Sequence, residues 1–254
     1  YEALLSASRN KNIKILTGYN HVLTKNTREA QKILAAGRIG NPIGISVRWL
    51  EHWGGIFDAH PWLSGPADSY LGYSHRGGGA CGEHSHGINL FQHFTRFLNA
   101  GRVVDVRATM DIVEPGGTSY DRICHINVVT ETGMVGSISQ DVITKPAVKT
   151  LRIQGDKGFL EWYANYDKSH DAVVWQADND AVEKHLVPKT RPDDFKGEID
   201  EIEAILNGKN SGASISLESG YETMMVIAAA YRSHELKRAC RIDYSGSGTI
   251  EAVL

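Results

Sequence analysis

The 254 residues are 41% hydrophobic and 22% charged, an ordinary globular balance with enough apolar material for a buried core. A formal net charge of −3 offers no basic surface for nucleic acid or an anionic membrane, and no apolar run approaches the roughly 18–20 residues of a membrane-spanning helix. Cys81, Cys124 and Cys240 are sparse, odd in number and in no CxxC pair, which argues against a disulfide framework or structural zinc and for free thiols in a reducing cytoplasm.

The opening Tyr1-Glu2-Ala3-Leu4-Leu5 lacks the basic-then-apolar layout of a signal peptide. Residues 2–9 read as the end of a helix, Asn10-Lys11-Asn12 as a polar turn and residues 13–18 as a short buried strand, the order found in the middle of an α/β unit. Asn26-Thr27-Arg28-Glu29 starts a helix with Ala30, Ile33 and Leu34 as its apolar stripe, closed at Gly37 or Gly40 with Pro42 beyond. Residues 43–49 alternate and are β-branched, which predicts a strand. Between Glu51 and Gly79 periodicity fails in a stretch rich in Gly, His, Trp and Tyr. Unstructured loops of that length are functional or disordered, and this density of histidine and aromatic groups favours function.

Residues 83–98 predict one helix, with Ile88, Phe91, Thr95 and Leu98 on one face and Leu90, Phe94 and Phe97 on another, hence buried on more than one side. Val104, Val106, Ala108, Met110 and Ile112 then alternate with polar residues. Further strands near 121–130, 133–143, 147–154 and 158–164 are joined by short connections and predict an antiparallel meander, with weaker strands at 171–177 and 181–187. Helices return at 194–207 and 217–237. In the last, Leu217, Tyr221, Met224, Met225, Ala228 and Tyr231 keep helical spacing and are expected in the core. The sum is an α+β fold, a large and predominantly antiparallel open sheet with helices on one face. The other face of such a sheet needs water or a partner, and a homo-oligomer paired through it is the expectation.

The segment richest in chemistry runs from Arg76 to Leu90. Gly77-Gly78-Gly79 allow a sharp turn or a close backbone approach. Glu83 and His86, three residues apart, are expected on one helix face, where a carboxylate holds an imidazole in orientation and raises its pKa for proton transfer. A histidine satisfied by a local ion pair on a half-buried helix fits the same spacing. A dinuclear metal site needs a second Glu-x-x-His and two more carboxylates, and only one copy is present. The glycine run lacks the Lys-Ser/Thr of a P-loop, and no segment offers GxGxxG after a strand, so the chain alone does not build a dinucleotide site.

In order and without a gap, Gly77-Gly78-Gly79, Glu83, His86 and Asn89 resemble the GGG-x-x-x-Asp-x-x-His-x-x-Asp helix start of the Gfo/Idh/MocA family, the relatives of glucose-fructose oxidoreductase and inositol dehydrogenase. Upstream, Thr17-Gly18-Tyr19-Asn20-His21 is similar to the family's exit from its nucleotide-binding domain. The helix end from Ala35 to Pro42 and the aromatic loop with His60-Pro61-Trp62 and Ser69-Tyr70 follow in the family's order. Downstream, the stretches 153–161 and 215–241 resemble its sheet hairpin and final helix.

The resemblance implies a glyceraldehyde-3-phosphate dehydrogenase-like C-terminal domain over residues 23–254, preceded at 1–22 by a remnant of a Rossmann domain. About 100–150 residues of that domain, one ordinary domain, are then expected outside the sequence. It also implies oxidation or reduction of a CH–OH group of a sugar, sugar acid or cyclitol with NAD or NADP. His86 matches the catalytic base, and Glu83 stands where the family has Asp and is expected to orient it. Asn20 is expected at the cofactor, and His84, Tyr73, Arg76, Trp62, His60 and Tyr70 at the substrate. Two other readings stand beside this one. One is a non-catalytic sugar-binding or oligomerisation module derived from the family. The other is a metal-dependent lyase using His84, His86 and His93.

Overall fold

The computed structural model describes residues 1–190, 192–209, 212–245 and 250–254. Its elements are α1 (Glu2–Lys11), α2 (Lys25–Ala35), β1 (Pro42–Leu50), α3 (Gly54–Ala59), α4 (Gly79–Glu83), α5 (His86–Phe97), β2 (Val103–Val113), β3 (Tyr120–Thr130), β4 (Val135–Asp141), β5 (Val148–Gly155), β6 (Gly158–Ala164), β7 (His170–Ala177), β8 (Glu183–Pro188), α6 (Asp193–Leu206), α7 (Leu217–Leu236) and β9 (Cys240–Arg241). Short 3-10 turns link several of them, including one at Asn20–Leu23.

Among the described residues the nine strands form one sheet, ordered β8-β7-β6-β5-β1-β4-β3-β2-β9. This is the α+β architecture that the patterning predicts, with α2, α4, α5 and α7 packed against the strands. The single meander is corrected. Two meanders, β2-β3-β4 and β5-β6-β7-β8, flank β1, which runs parallel to β4 and antiparallel to β5. The connection through Lys145-Pro146 therefore steps across β1 instead of turning a hairpin. The reason lies in β1, whose Ile45, Val47 and Trp49 are 3%, 1% and 1% exposed. A strand that deep needs partners for the backbone groups on both of its edges.

Helix α5 lies close to the sheet because two glycines make room. A Cβ on Gly87 would stand 3.0 Å from the Trp49 Cβ, and one on Gly136 would stand 2.3 Å from the Phe91 ring. This close approach sets His86, the residue before Gly87, beside Trp49 (ring centroids 5.9 Å). On the far side of the sheet, a shallow concavity of about 560 Å³ is lined by Ser46, Arg107, Asn127 and Arg152 among others. No helix among the described residues is long and apolar enough to cross a membrane.

Four local expectations change. Residues 13–18 form no buried strand: Leu16 makes one bridge to Ser216, Thr17 N–H donates to the Ile215 carbonyl at 2.8 Å, and Ile13 is 48% exposed. Extended backbone becomes a strand only beside another, and here only the approach to α7 lies alongside. The alternation in β2 holds for Val106, Ala108 and Met110, but register shifts at both ends turn Val103 inward and leave Ile112 38% exposed. The helix expected over 83–98 is two pieces, α4 and α5, joined by a tight turn at His84-Ser85. Finally, the α7 stripe is core only in part: Met225 is 4% exposed, and Tyr221, Ala228 and Tyr231 pack half-buried against the core. Val226, Ala229 and Ala230 are fully buried, whereas Leu217, Tyr221, Met224 and Ala228 line an apolar groove shared with Tyr1, Leu4 and Tyr19, and Met224 is 56% exposed. Helical spacing identifies an apolar face without saying what covers it.

Candidate functional site

Beyond the carboxyl end of β1 a cavity of about 630 Å³ opens between sheet and helices. The 3-10 turn contributes Asn20 and His21, and the end of β1 contributes Trp49, Glu51 and His52. The start of β5 adds Lys149, and the α4–α5 joint adds Glu83, His84 and His86. The β6–β7 hairpin from Asn165 to His170, with Lys189 and Asp194, closes the far rim. Trp49 and Lys149 are cross-strand partners, so the ammonium lies 5.5 Å above the indole and pairs with the Glu51 carboxylate at 2.6 Å.

His86 packs face to face with Trp49 and edge-on to Tyr19 (5.4 Å) and His21 (5.2 Å). Its ring stays partly accessible to the cavity, while its Nδ1 is buried without a hydrogen-bond partner. Burial, reinforced by the positive charge of Lys149, lowers its pKa to about 4, which keeps the imidazole neutral at ordinary pH. His21 lies 4.7 Å from Trp49 and 6.2 Å from Trp162, also edge-on, and burial drives its pKa well below the usual imidazole value.

The expected Glu83–His86 pairing is corrected. Because the helix breaks between them, the Glu83 carboxylate turns to the Tyr70 hydroxyl, which donates to it at 2.5 Å. Burial raises the Glu83 pKa. The negative charge that acts on His86 is that of Glu51. His84 is 4% exposed, and its Nε2–H donates to the Glu51 carbonyl at 3.0 Å. His60 reaches the cavity rim, with Nδ1 2.6 Å from the Ile56 carbonyl. The structure thus brings Asn20, His60, Glu83, His84 and His86 to one cavity, and Tyr70 to its edge through Glu83. It does not bring Trp62, Tyr73 or Arg76 to that cavity: Trp62 is 73% exposed beside His60, and Arg76 stacks on the Tyr73 ring at 4.5 Å. In a loop without periodicity, sequence order says little about which way a side chain faces.

The glycine run acts as a hinge-free bracket. Gly79 has φ +84°, and a Cβ there would meet an Asp121 carboxylate oxygen at 2.0 Å. Asp121, fully buried on β3, accepts from the Cys81 N–H at 2.7 Å and from the Tyr231 hydroxyl at 2.5 Å. Burial lifts its pKa to about 6. The turn is thereby fastened to β3 and α7, which holds α4 and the His86 joint in place.

His84, His86 and His93 do not converge: His93 points to the Gln31 side chain (3.0 Å), and no group of three potential metal-ligating side chains occurs among the described residues. His21, Trp49, Glu51, Lys149 and Lys189 are site residues that the motif reading did not single out. His21 directly follows Asn20, but Lys149 stands on an ordinary strand and Lys189 just past the end of one, and neither carries a local signal. Asn20 is 7% exposed; its amide N–H donates to the Asp194 carbonyl at 3.0 Å, and its Oδ1 is buried without a partner. That unmet acceptor fits a carboxamide donor such as the nicotinamide amide.

The sequence profile of the GFO/IDH/MocA C-terminal domain matches residues 27–161, more than half of the chain. No curated protein matches the sequence. Solved structures of similar fold include a levoglucosan dehydrogenase in complex with NADH and levoglucosan, with a TM-score of 0.75 at 20% identity, covering 94% of this chain and 69% of that one. An aldose-aldose oxidoreductase from Caulobacter crescentus complexed with glycerol gives 0.74 at 18% identity, with 95% and 68% covered. An inositol dehydrogenase homolog from Azotobacter vinelandii complexed with NAD+ gives 0.69 at 13% identity, with 92% and 66% covered. At these identities the likeness is one of fold, and the chain spans about two-thirds of the length of each. The chain belongs to the Gfo/Idh/MocA family, whose C-terminal domain it carries.

Proposed function

We propose that this chain is the substrate-binding, catalytic part of an NAD(P)-dependent oxidoreductase acting on a CH–OH group of a sugar, sugar acid or cyclitol, with His86 as general base. One observation carries the reading: an imidazole with no side-chain hydrogen bond among the described residues stands at the wall of a polar cavity, stacked on Trp49. A neutral imidazole is the form that accepts a proton. The histidine, asparagine and carboxylate groups around the cavity suit the hydroxyls of a polyol.

In the oxidation direction the substrate hydroxyl donates a hydrogen bond to His86. The proton passes to the ring as the C–H bond on the same carbon breaks and a carbonyl forms. Bound NAD or NADP supplies the acceptor for the departing hydride. Asn20, at the edge of the cavity, would hold the carboxamide of that ring, and the rest of the cofactor site is contributed from outside these residues. His84 is fixed by the Glu51 carbonyl, and Glu83 by Tyr70, so both present oriented polar groups to the substrate. Burial, with the charge of Lys149 beside it, keeps His86 from protonating before the substrate arrives. We further propose that two copies pair through the open face of the sheet.

The test is turnover of a polyol panel by the natural polypeptide carrying this chain, followed as reduced nicotinamide. His86→Asn is expected to lower kcat about 10²–10⁴-fold with an unchanged circular-dichroism spectrum. Unchanged turnover removes the mechanism. A polypeptide that binds polyols, holds no nicotinamide and turns nothing over is the non-catalytic sugar-binding module instead.

A further inference from the structure

Six histidines line the cavity, and they divide into two kinds. Four are tied to the protein by their own rings: His52 accepts from the Gly54 N–H at 2.8 Å, His60 bonds the Ile56 carbonyl, His84 bonds the Glu51 carbonyl, and His170 bonds the Asp167 carboxylate at 3.0 Å. The other two, His21 and His86, have no side-chain hydrogen bond among the described residues, and each keeps a buried Nδ1 without a partner. Buried polar groups of that kind are rare in native folds and call for a ligand or water. The two rings face the same cavity, perpendicular to one another and 5.2 Å apart. Only one of them is needed as the base.

We propose that His21 is a second substrate-contacting residue, which binds the hydroxyl next to the one His86 deprotonates, so that the site reads a vicinal diol. This rests on the assignment of His86 above. Two oxygens on neighbouring carbons lie closer together than the two rings do, so each can meet its own imidazole. The shared Trp49 packs against both rings and keeps their relative angle. A lone alcohol satisfies one imidazole and leaves the other buried and unpaired, and sites built that way reject the analogue lacking the polar group.

Matched probes test it without turnover: cis-cyclohexane-1,2-diol and cyclohexanol, of the same ring size, titrated into protein labelled with 15N in its histidines. The diol is expected to move the ring nitrogen signals of both His21 and His86 and to bind about tenfold more tightly than the mono-ol, which moves His86 alone. His21→Phe, with His21→Gln as a second variant should the first disturb packing on Trp49 and Trp162, is expected to erase that preference. In turnover, the same variants are expected to raise KM for diol substrates more than they lower kcat. Equal affinity for the two probes, or no diol response at the His21 ring, overturns the inference. If His86→Asn still abolishes turnover in that case, the base assignment stands and only the role of His21 falls. If His86→Asn leaves turnover intact, the base assignment falls on its own.

Discussion

Two neighbouring regions of this chain, the glycine turn at 77–81 and the imidazole pair at His21 and His86, are finished to different degrees. At the turn the buried charge is met: the Asp121 carboxylate takes the Cys81 N–H and the Tyr231 hydroxyl, and Gly79 supplies a backbone shape that only glycine adopts without strain. At the imidazole pair the opposite holds, with two buried ring nitrogens left over. Where unmet ring nitrogens also face a cavity, as they do here, another molecule has a place to bind. The same contrast appears in charge. Burial raises the Asp121 pKa against the hydrogen bonds from Tyr231 and the turn, which favour the carboxylate, while burial lowers the histidines towards their neutral form, where they are ready to accept protons.

The largest effect expected outside the chemistry itself falls on the scaffold side. Gly79→Ala forces a side chain into positive φ and onto the Asp121 carboxylate, and urea denaturation is expected to show a loss of about 2–4 kcal/mol. A loss below about 0.5 kcal/mol means that the turn is not a rigid bracket.

Acid titration separates the two regions next. His86 and His93 both have folded pKa values near 4, below the usual 6.5, so between those limits the unfolded chain binds more protons. Their contribution to stability is complete above about pH 6.5 and is lost as pH falls towards about 4. Asp121, raised to about 6, works in the opposite sense over part of that range, but His21 and His84 are also lowered. The urea midpoint is therefore expected to fall between pH 7 and pH 5, and His93→Gln to flatten the fall. A midpoint that rises on acidification contradicts the assignment.

Smaller still is the effect of Lys149→Gln. Removing that charge is expected to raise the midpoint of His86 modestly above about 4, since burial is the larger cause and remains. The smallest is Tyr70→Phe, which takes one hydrogen bond from Glu83 at a half-exposed position. A stability change of about 1 kcal/mol or less is expected, with a further rise in the Glu83 pKa.

How much of this was legible beforehand follows the range of the forces involved. The strands and helices from residue 42 onward are periodic, and periodicity is a local signal, so β2 to β8 and α6 fall where alternation and spacing place them. The sheet order is not local: nothing near Lys145-Pro146 says that β1 waits to be paired on both edges. The apolar stripe of α7 is visible in the sequence, but the groove it lines with Tyr1 and Tyr19 is not, because spacing records a face and not its cover. In the site, the motif from Gly77 to His86 stands out in the chain, and Asn20 follows from the resemblance. The Glu83–His86 pairing failed because the break at His84-Ser85 depends on packing against β1 and β3. Lys149 is a residue on an ordinary strand until Trp49 is set across from it.

The central claim is that His86 is a desolvated, neutral imidazole facing the cavity, and its own titration tests that most directly. With the histidine rings labelled with 15N, the His86 signals are expected to remain those of a neutral ring from pH 8 down to about 5 and to titrate with a midpoint near 4. A midpoint at or above about 6.5, the value of a solvated imidazole, would contradict the account.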